Sequence, residues 1–233
     1  MTFRFKAFDV VQSQSAMKIG TDAVLLGAWA PFSRGKRILD IGSGTGVLAL
    51  MMAQRFPDAQ ITAIDMDEAA AKESRKNFEQ SPWSNRLLSM HCSLEEFCQQ
   101  PNQEFDSIVC NPPFYSDGYA PNSSSRSKAR DTTHLRLEHL FSAANQLLSS
   151  QGEFALIYPL SQKENIVRTA AEHQLFPKKI MRVRGRPHLA YKRMYVVFDR
   201  HSSKTTHEQS LTLERDQHLR SAEYQKLVAP FYL

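Results

Sequence analysis

Short apolar runs alternate along the chain with helical patterns, and that alternation predicts a parallel α/β sheet. The runs Arg37 to Asp40, Gln60 to Asp65, Leu87 to His91, Phe105 to Cys110 and Glu153 to Tyr158 predict strands, followed by a closing pair near Lys179 to Arg184 and Arg193 to Asp199. Helices are expected between them. The one through Val47 to Arg55 stops before Pro57, Glu68 to Glu79 stops before Pro82, and Leu135 to Leu148 stops before Gly152, as proline and glycine punctuation requires. Ser116 to Thr133, rich in Ser with interspersed charge, reads as a long flexible loop, and loops of that length inside a compact domain usually carry function. His201 to Ser210 reads as a polar surface connection, and no internal repeat is visible.

At 233 residues the chain fits one domain, and 42% apolar with 23% charged residues excludes a disordered, collagen-like or coiled-coil protein. The longest nearly apolar run, Ala23 to Phe32, is too short to span a bilayer, and the first residues lack the apolar stretch of a signal peptide, so a soluble cytoplasmic protein is expected. Cys92, Cys98 and Cys110 are odd in number and show no C-x-x-C spacing, which supports neither a disulfide framework nor a zinc site. The net charge of +5 is unevenly placed. Seven bases (Lys178, Lys179, Arg182, Arg184, Arg186, Lys192 and Arg193) fall between Phe176 and Met194 without an acid, so the rest of the chain carries −2. Such a segment suits a polyanion, because neutralised phosphates release condensed counterions; it equally suits an edge hairpin guarded by charge against aggregation.

Ile38 to Met52 reads as strand, glycine-rich turn, helix. Gly42, Gly44 and Gly46 would let the backbone turn sharply and let a ligand lie against bare main chain near a helix N-terminus. The spacing is G-x-G-x-G, one place short of the dinucleotide fingerprint G-x-G-x-x-G. Asp40, at the strand's end, would repel a pyrophosphate but suits a ligand carrying ammonium and sulfonium charges, namely S-adenosylmethionine. Asp65 ends the next strand, where a carboxylate can accept from two ribose hydroxyls, as it would in a nicotinamide enzyme too. A tight turn whose glycines serve packing alone is the plain alternative.

Phe105 to Cys110 runs into Asn111, Pro112, Pro113 and Phe114. Ligands in open α/β sheets sit beyond the carboxyl ends of the strands, so this tetrapeptide is expected to share a crevice with the glycine loop. Two prolines remove two amide donors and stiffen the backbone, leaving the Asn111 side-chain oxygen and the Pro112 carbonyl as acceptors for one amino group. Phe114 offers a face on which a planar ring can stack, worth ~1 to 3 kcal/mol for a nucleobase. An exocyclic adenine nitrogen is a poor nucleophile because its lone pair is delocalised into the ring; two acceptors gripping its hydrogens free that lone pair for in-line displacement. Positioning and oriented dipoles would then carry the catalysis. The bland alternative is a turn after a strand.

These residues resemble the Asn-Pro-Pro-Tyr/Phe class of S-adenosylmethionine-dependent methyltransferases. More closely, Ser15 to Trp29, Ser81 to Trp83, Ala129 with Arg130, Tyr224 and Phe231 to Leu233 look like the bacterial tRNA (adenine-N6) methyltransferases acting on valine tRNA. The likeness covers nearly the whole chain and is weakest from Ser161 to Ser210. It implies a class I, Rossmann-like methyltransferase domain with a seven-stranded, mostly parallel sheet, helices on both faces and the last strand antiparallel. It also implies a target adenosine at tRNA position 37. Residues 1 to 30 would close over the cofactor, Lys18, Gly20 and Thr21 at its methionine end, while Asp40, Gly42, Gly44 and Gly46 line it, Asp65 takes the ribose and Asn111 to Phe114 take the base. Where the family often has an Asp meeting the cofactor's adenine, this chain has Ser93, which with Glu96 also fits a capping box, S-x-x-E. Thr21 and Asp22 equally fit a helix cap.

An adenine stacked in an anticodon loop must be turned out into the pocket, so the protein must hold the RNA by its phosphates. Arg126, Lys128 and Arg130 in the long loop and the bases from Lys178 to Arg193 are the candidates. The histidines follow no metal-ligand pattern; a monomer with a tRNA substrate, no metal and no membrane is expected. Two other readings stay open: methylation of guanine N2 in ribosomal RNA or of a release-factor glutamine amide, the latter disfavoured by the lack of a preceding recognition domain, and a non-enzymatic RNA-binding module with a vestigial cofactor site.

Overall fold

A computed structural model describes residues 1–13, 18–101, 103–112, 136–202 and 205–232. An antiparallel hairpin of β1 (Thr2–Arg4) and β2 (Asp9–Val11) comes first in the chain. The central sheet has eight strands among the described residues: β3 (Arg37–Ile41), β4 (Gln60–Asp65), β5 (Leu87–His91), β6 (Phe105–Cys110), β7 (Leu148–Pro159), β8 (Phe176–Arg184), β9 (Arg193–Asp199) and β10 (His207–Thr212). They lie in the order β10-β8-β9-β7-β6-β3-β4-β5. Neighbours pair in parallel except β9, which is antiparallel to both β7 and β8. The expected seven-stranded sheet is present, with an eighth strand added beyond it. That strand begins inside the segment expected to be a surface connection and runs two residues past it: β10 docks parallel to β8 at the edge, its first four residues exposed and only Leu211 buried.

Helices cover both faces. α1 (Thr21–Trp29), α2 (Val47–Arg55), α3 (Glu68–Glu79) and α7 (Ala222–Val228) feed one apolar cluster, while α4 (Leu94–Cys98), α5 (Leu137–Leu147) and α6 (Lys163–Glu172) feed the other. Parallel strands buried on both faces read as continuous apolar runs, which is why Ile38, Leu39 and Ile41 in β3 and Ile108, Val109 and Cys110 in β6 are all essentially solvent-free. The helix expected over Leu135 to Leu148 gives up Leu148 to β7, which starts five residues earlier than its apolar run predicts and pairs with β6 through a register shift between Phe105 and Ser107. α1 is apolar on nearly every side and packs so close to α2 that a Cβ on Gly27 would meet the Met51 sulfur at 2.5 Å. It therefore belongs to the core.

Two half-buried arginines close helix ends. Arg55 donates to the carbonyls of Gly27 (2.7 Å) and Ala30 (2.8 Å) at the end of α1, and burial pushes its guanidinium down to about 10. Arg86 does the same for the end of α2, reaching the carbonyls of Ala53, Phe56 and Ala59. Such contacts satisfy carbonyls that a helix end leaves without partners.

The β1–β2 hairpin lies against α3. Asn77 fixes it: its side chain accepts from the Val11 amide and donates to the Val11 and Thr45 carbonyls, all at 2.9 Å. Four residues earlier on the helix, Glu73 accepts from the Ser13 amide and hydroxyl. Both side chains are buried, so a polar stripe on α3 holds the N-terminal strap and the glycine turn in one network. Replacing Asn77 with Ala leaves one amide and two carbonyls in apolar surroundings, so we expect a loss of about 2 to 4 kcal/mol, read as a lower urea midpoint with an unchanged m value.

Candidate active site

β3 ends at Ile41, opposite Cys110 on β6 and Ile64 on β4. One residue further, Gly42 and Asn111 leave neighbouring strands at the same level of the sheet. The amides of Gly42 and Ser43 both bind the Ile64 carbonyl (2.9 and 3.0 Å), which folds the turn against β4. Gly42, Gly44 and Gly46 have φ of 70°, 54° and 79°, values that side chains rarely adopt. The three are not equivalent. A Cβ on Gly46 would meet Phe78 at 2.4 Å, so that glycine serves the packing of α3, whereas a Cβ on Gly42 or Gly44 would meet nothing within 4 Å. Bare main chain facing open space is the cradle a cofactor needs.

Asp40 lies beneath this turn, completely buried. Its Oδ2 accepts from the Ala49 amide (3.1 Å), the third of α2, and so caps that helix from the strand below, where the helix dipole favours an anion. Its Oδ1 has no hydrogen-bond partner among the described residues. Burial pushes the carboxyl up to about 7 against the Ala49 hydrogen bond, and the neighbouring Asp65 pushes the same way. Asp40 is thus a buried group with one vacant acceptor, not the exposed anion at the mouth that its sequence position suggests. Asp65 accepts from the Gly44 amide (2.8 Å) with Oδ2 and from the Asp67 amide (2.9 Å) with Oδ1. Burial lifts it above the usual carboxylate range, opposed by those two amides. Each oxygen retains a lone pair, so a ribose can still be accepted. The vacant Oδ1, the two open glycines and Asp65 fit a cationic nucleoside such as S-adenosylmethionine.

Ser93 forms the expected capping box: its hydroxyl accepts from the Glu96 amide (3.1 Å) while Glu96 accepts from the Ser93 amide (2.8 Å). Thr21 and Asp22, by contrast, do not cap α1. The helix begins at Thr21 itself, Gly20 is its N-cap without a side-chain bond, and Asp22 instead binds Arg193 (2.9 Å) and the Tyr195 hydroxyl (3.3 Å) on β9. Lys18 donates to the Gln12 carbonyl (2.6 Å), and the Gln12 side chain takes the Ile19 amide (2.9 Å), so Gln12 ties the strap to the start of α1. Asn111 is half-buried and Pro112 buried, directly after β6. Pro113, Phe114, Arg126, Lys128 and Arg130 lie outside the described residues.

Folding brings acids to the basic segment that its sequence lacks. Lys178 pairs with Glu153 (2.7 Å) and Asp199 (3.4 Å), Arg182 with Glu208 (3.5 Å) and Arg193 with Asp22. Lys179, Arg186 and Lys192 have no ion pair among the described residues, and Arg184 is held by Thr212 and Pro187. Sequence reasoning missed Asn77, Glu73 and Gln12; for the first two the signal available was polar residues interrupting the buried stripe of α3. No group of three metal-ligating side chains and no helix able to cross a membrane occurs among the described residues.

The family model described as methyltransferase small domain matches residues 2–173. A tRNA1(Val) (adenine(37)-N6)-methyltransferase of Flavobacterium psychrophilum is 46% identical over 232 residues, covering 99% of both chains. The protein of the same name from Bacteroides thetaiotaomicron is 39% identical, over 99% of this chain and 97% of its own. Among solved structures, a predicted O-methyltransferase of Agrobacterium tumefaciens superposes with a TM-score of 0.71 at 20% identity, over 90% of this chain and 96% of its own. Geranyl diphosphate C-methyltransferase of Streptomyces coelicolor, solved with S-adenosyl-L-homocysteine, reaches 0.56 at 14% identity over 77% of each chain. At these identities the two structures speak for the fold alone.

The raised Asp40 carboxyl gives a test. In the ligand-free protein its protonated form is favoured, so stability is greatest below the unfolded value of 3.8 and is lost as pH rises toward about 7, by an amount on the order of a few kcal/mol. We expect Asp40→Asn to raise the thermal midpoint at pH 8, to shrink the fall between pH 5 and 8, and to diminish the upward shift that S-adenosylmethionine gives the unaltered protein. Differential scanning calorimetry with and without the cofactor reads all three.

Proposed function

The chain belongs to the tRNA1(Val) (adenine(37)-N6)-methyltransferase family within the small-domain methyltransferases, and from that footing we propose that it methylates the N6 amino group of adenine 37 in valine tRNA. S-adenosylmethionine supplies a methyl group on a positively charged sulfur, which an amine can displace in line. The observation that carries the reading is the register of β3 against β6: Ile41 opposite Cys110 sets the open glycines beside Asn111. The Asn111 side-chain oxygen and the Pro112 carbonyl accept the two hydrogens of the adenine amino group, which localises its lone pair toward the glycine turn. Phe114 supplies the ring on which the base stacks.

On the cofactor side, the Oδ1 of Asp40 offers the free acceptor for a cationic group, and Asp65 takes the ribose hydroxyls. Lys18, Gly20 and Thr21 follow the strap that Gln12, Glu73 and Asn77 hold against the turn, which suits them to exclude water from the methionine end. No side chain need act as a strong base, because the amine becomes acidic once methylated. The chemistry asks the protein for placement and for dipoles fixed before the substrate arrives.

Asn111→Ala removes one acceptor aimed at charge that develops in the transition state. Turnover is expected to fall by roughly 10² or more, while cofactor affinity changes only a few-fold. Single-turnover rates on unmodified valine tRNA with labelled S-adenosylmethionine, equilibrium dialysis, and mass spectrometry of the digested nucleosides measure these quantities; unaltered turnover, or label on guanosine instead of N6-methyladenosine, overturns the reading.

A further inference from the structure

The basic segment is continuous in sequence but runs from within the sheet to beyond its carboxyl edge. β8 runs parallel to β7, because both lie antiparallel to β9; across the ladder Ile180 is level with Cys110, so Lys179 lies within the sheet at the level of Val109, while Arg184 projects four residues beyond Ile180 on the side where the glycine turn and Asn111 leave the sheet. Six residues of extended chain separate Lys178 from Arg184, about 20 Å. At the carboxyl edge β8 is three strands from β6, about 14 Å. Nucleotides flanking one base turned out into the site can cover that distance, which favours the bases beyond the carboxyl edge over those within the sheet.

The turn between β8 and β9 is built as a fixed platform. The Lys192 amide binds the Val183 carbonyl and the Leu160 amide binds the Lys192 carbonyl, each at 2.9 Å, which ties the turn to the exit of β7. On its other side the Leu213 amide binds the Arg184 carbonyl (3.0 Å) and the Glu214 amide binds the Gly185 carbonyl (2.9 Å). The Arg184 guanidinium stands 4.9 Å from the centre of the Tyr191 ring, donates Nε to the Thr212 hydroxyl (2.9 Å) and NH1 to the Pro187 carbonyl (2.6 Å). Those bonds commit two of its five N–H groups and hold its plane, which is how an arginine is made ready for an anion. Arg182, also over the Tyr191 ring at 5.7 Å, spends its charge on Glu208, and Glu214 takes Arg220. Arg186 and the exposed Lys192 keep theirs.

We propose that the turn Gly185 to Lys192, with Arg184 beneath it, is a preformed phosphate site for the RNA strand flanking the target adenine, in which Arg184, Arg186 and Lys192 take phosphates and Tyr191 positions Arg184, while Lys178 and Lys179 take no part. The inference rests on the tRNA reading above. It replaces the basic run as a whole with its carboxyl-edge half. Every phosphate that a variant leaves unneutralised lowers the slope of log K against log salt by about 0.7 to 0.9.

The test measures binding of unmodified valine tRNA by the full chain across a range of salt concentrations. The double variant Arg186→Ala with Lys192→Ala, which removes no bond the fold uses, lowers the slope by about 1.5, and Lys179→Ala leaves it unaltered. Tyr191→Ala lowers the slope and Tyr191→Phe restores it, since a bulkless side chain releases Arg184 and a phenyl ring does not. An unaltered slope in the double variant, or an equal fall in Lys179→Ala, overturns the proposal. Methyl transfer by the unaltered protein is scored in the same preparation, so a misassigned platform with transfer intact is told apart from a failed activity.

Discussion

Three parallel strands that end within one residue of the same level make the site possible. Ile41 faces Cys110 on one side and Ile64 on the other, and the next residues of the three strands are Gly42, Asn111 and Asp65. Because the backbone ladder fixes this alignment, a shift of one residue would do more than displace the glycine turn from Asn111; it would also exchange the two buried faces of β3, sending Leu39 and Ile41 into the cluster that now packs Ile38 and the reverse. The register is held by the whole apolar sandwich on both sheet faces. Chemical placement and core packing are therefore the same constraint, and the site needs no separate device to align its two halves.

Charge is handled in the same economical manner. Asp40 is buried at the beginning of α2, where the helix dipole and one amide partly offset its desolvation and one oxygen is left over. Asp65 has both oxygens engaged by turn amides that also set the turn's shape. An acid that organises the backbone and retains acceptor capacity is ready for a ligand without rearranging, which lowers the ordering cost of binding. Arg55 and Arg86 act similarly for the ends of α1 and α2, the two helices whose close approach at Gly27 keeps the first face of the sheet thin.

Most of the central sheet is legible in the sequence because parallel strands buried on both faces give unbroken apolar runs. Gln60 to Asp65, Leu87 to His91 and Phe105 to Cys110 have the same bounds in the sequence pattern and in the structure, as do the helices ending before Pro57 and Pro82. β10 is not legible, since an edge strand with one buried residue carries no period to detect. The early start of β7 is masked because its first residue, Leu148, directly continues the apolar helical pattern that ends at Leu147. At the site, glycines and acids stand out through their spacing, but the difference between Gly46, which packs on Phe78, and Gly42 and Gly44, which face open space, exists only in three dimensions. Asp22 has the sequence position of a cap and is Arg193's partner; the basic run has no acid within it and meets Glu153, Asp199, Glu208 and Asp22. Pairings between segments far apart in the chain leave no local trace.

One pairing of distant segments bears on how the N-terminal hairpin is held. The Lys6 amide binds the Phe231 carbonyl (2.8 Å), its ammonium reaches the Ala229 carbonyl (2.7 Å), and Phe5 stacks on Tyr232 with ring centres 6.0 Å apart. The hairpin whose second strand Asn77 fastens to the Thr45 carbonyl is thus backed by residues that follow it at a separation of 223 positions. The central strands can find their order without these contacts, but the hairpin gains its backing only once Ala229 to Tyr232 are in place.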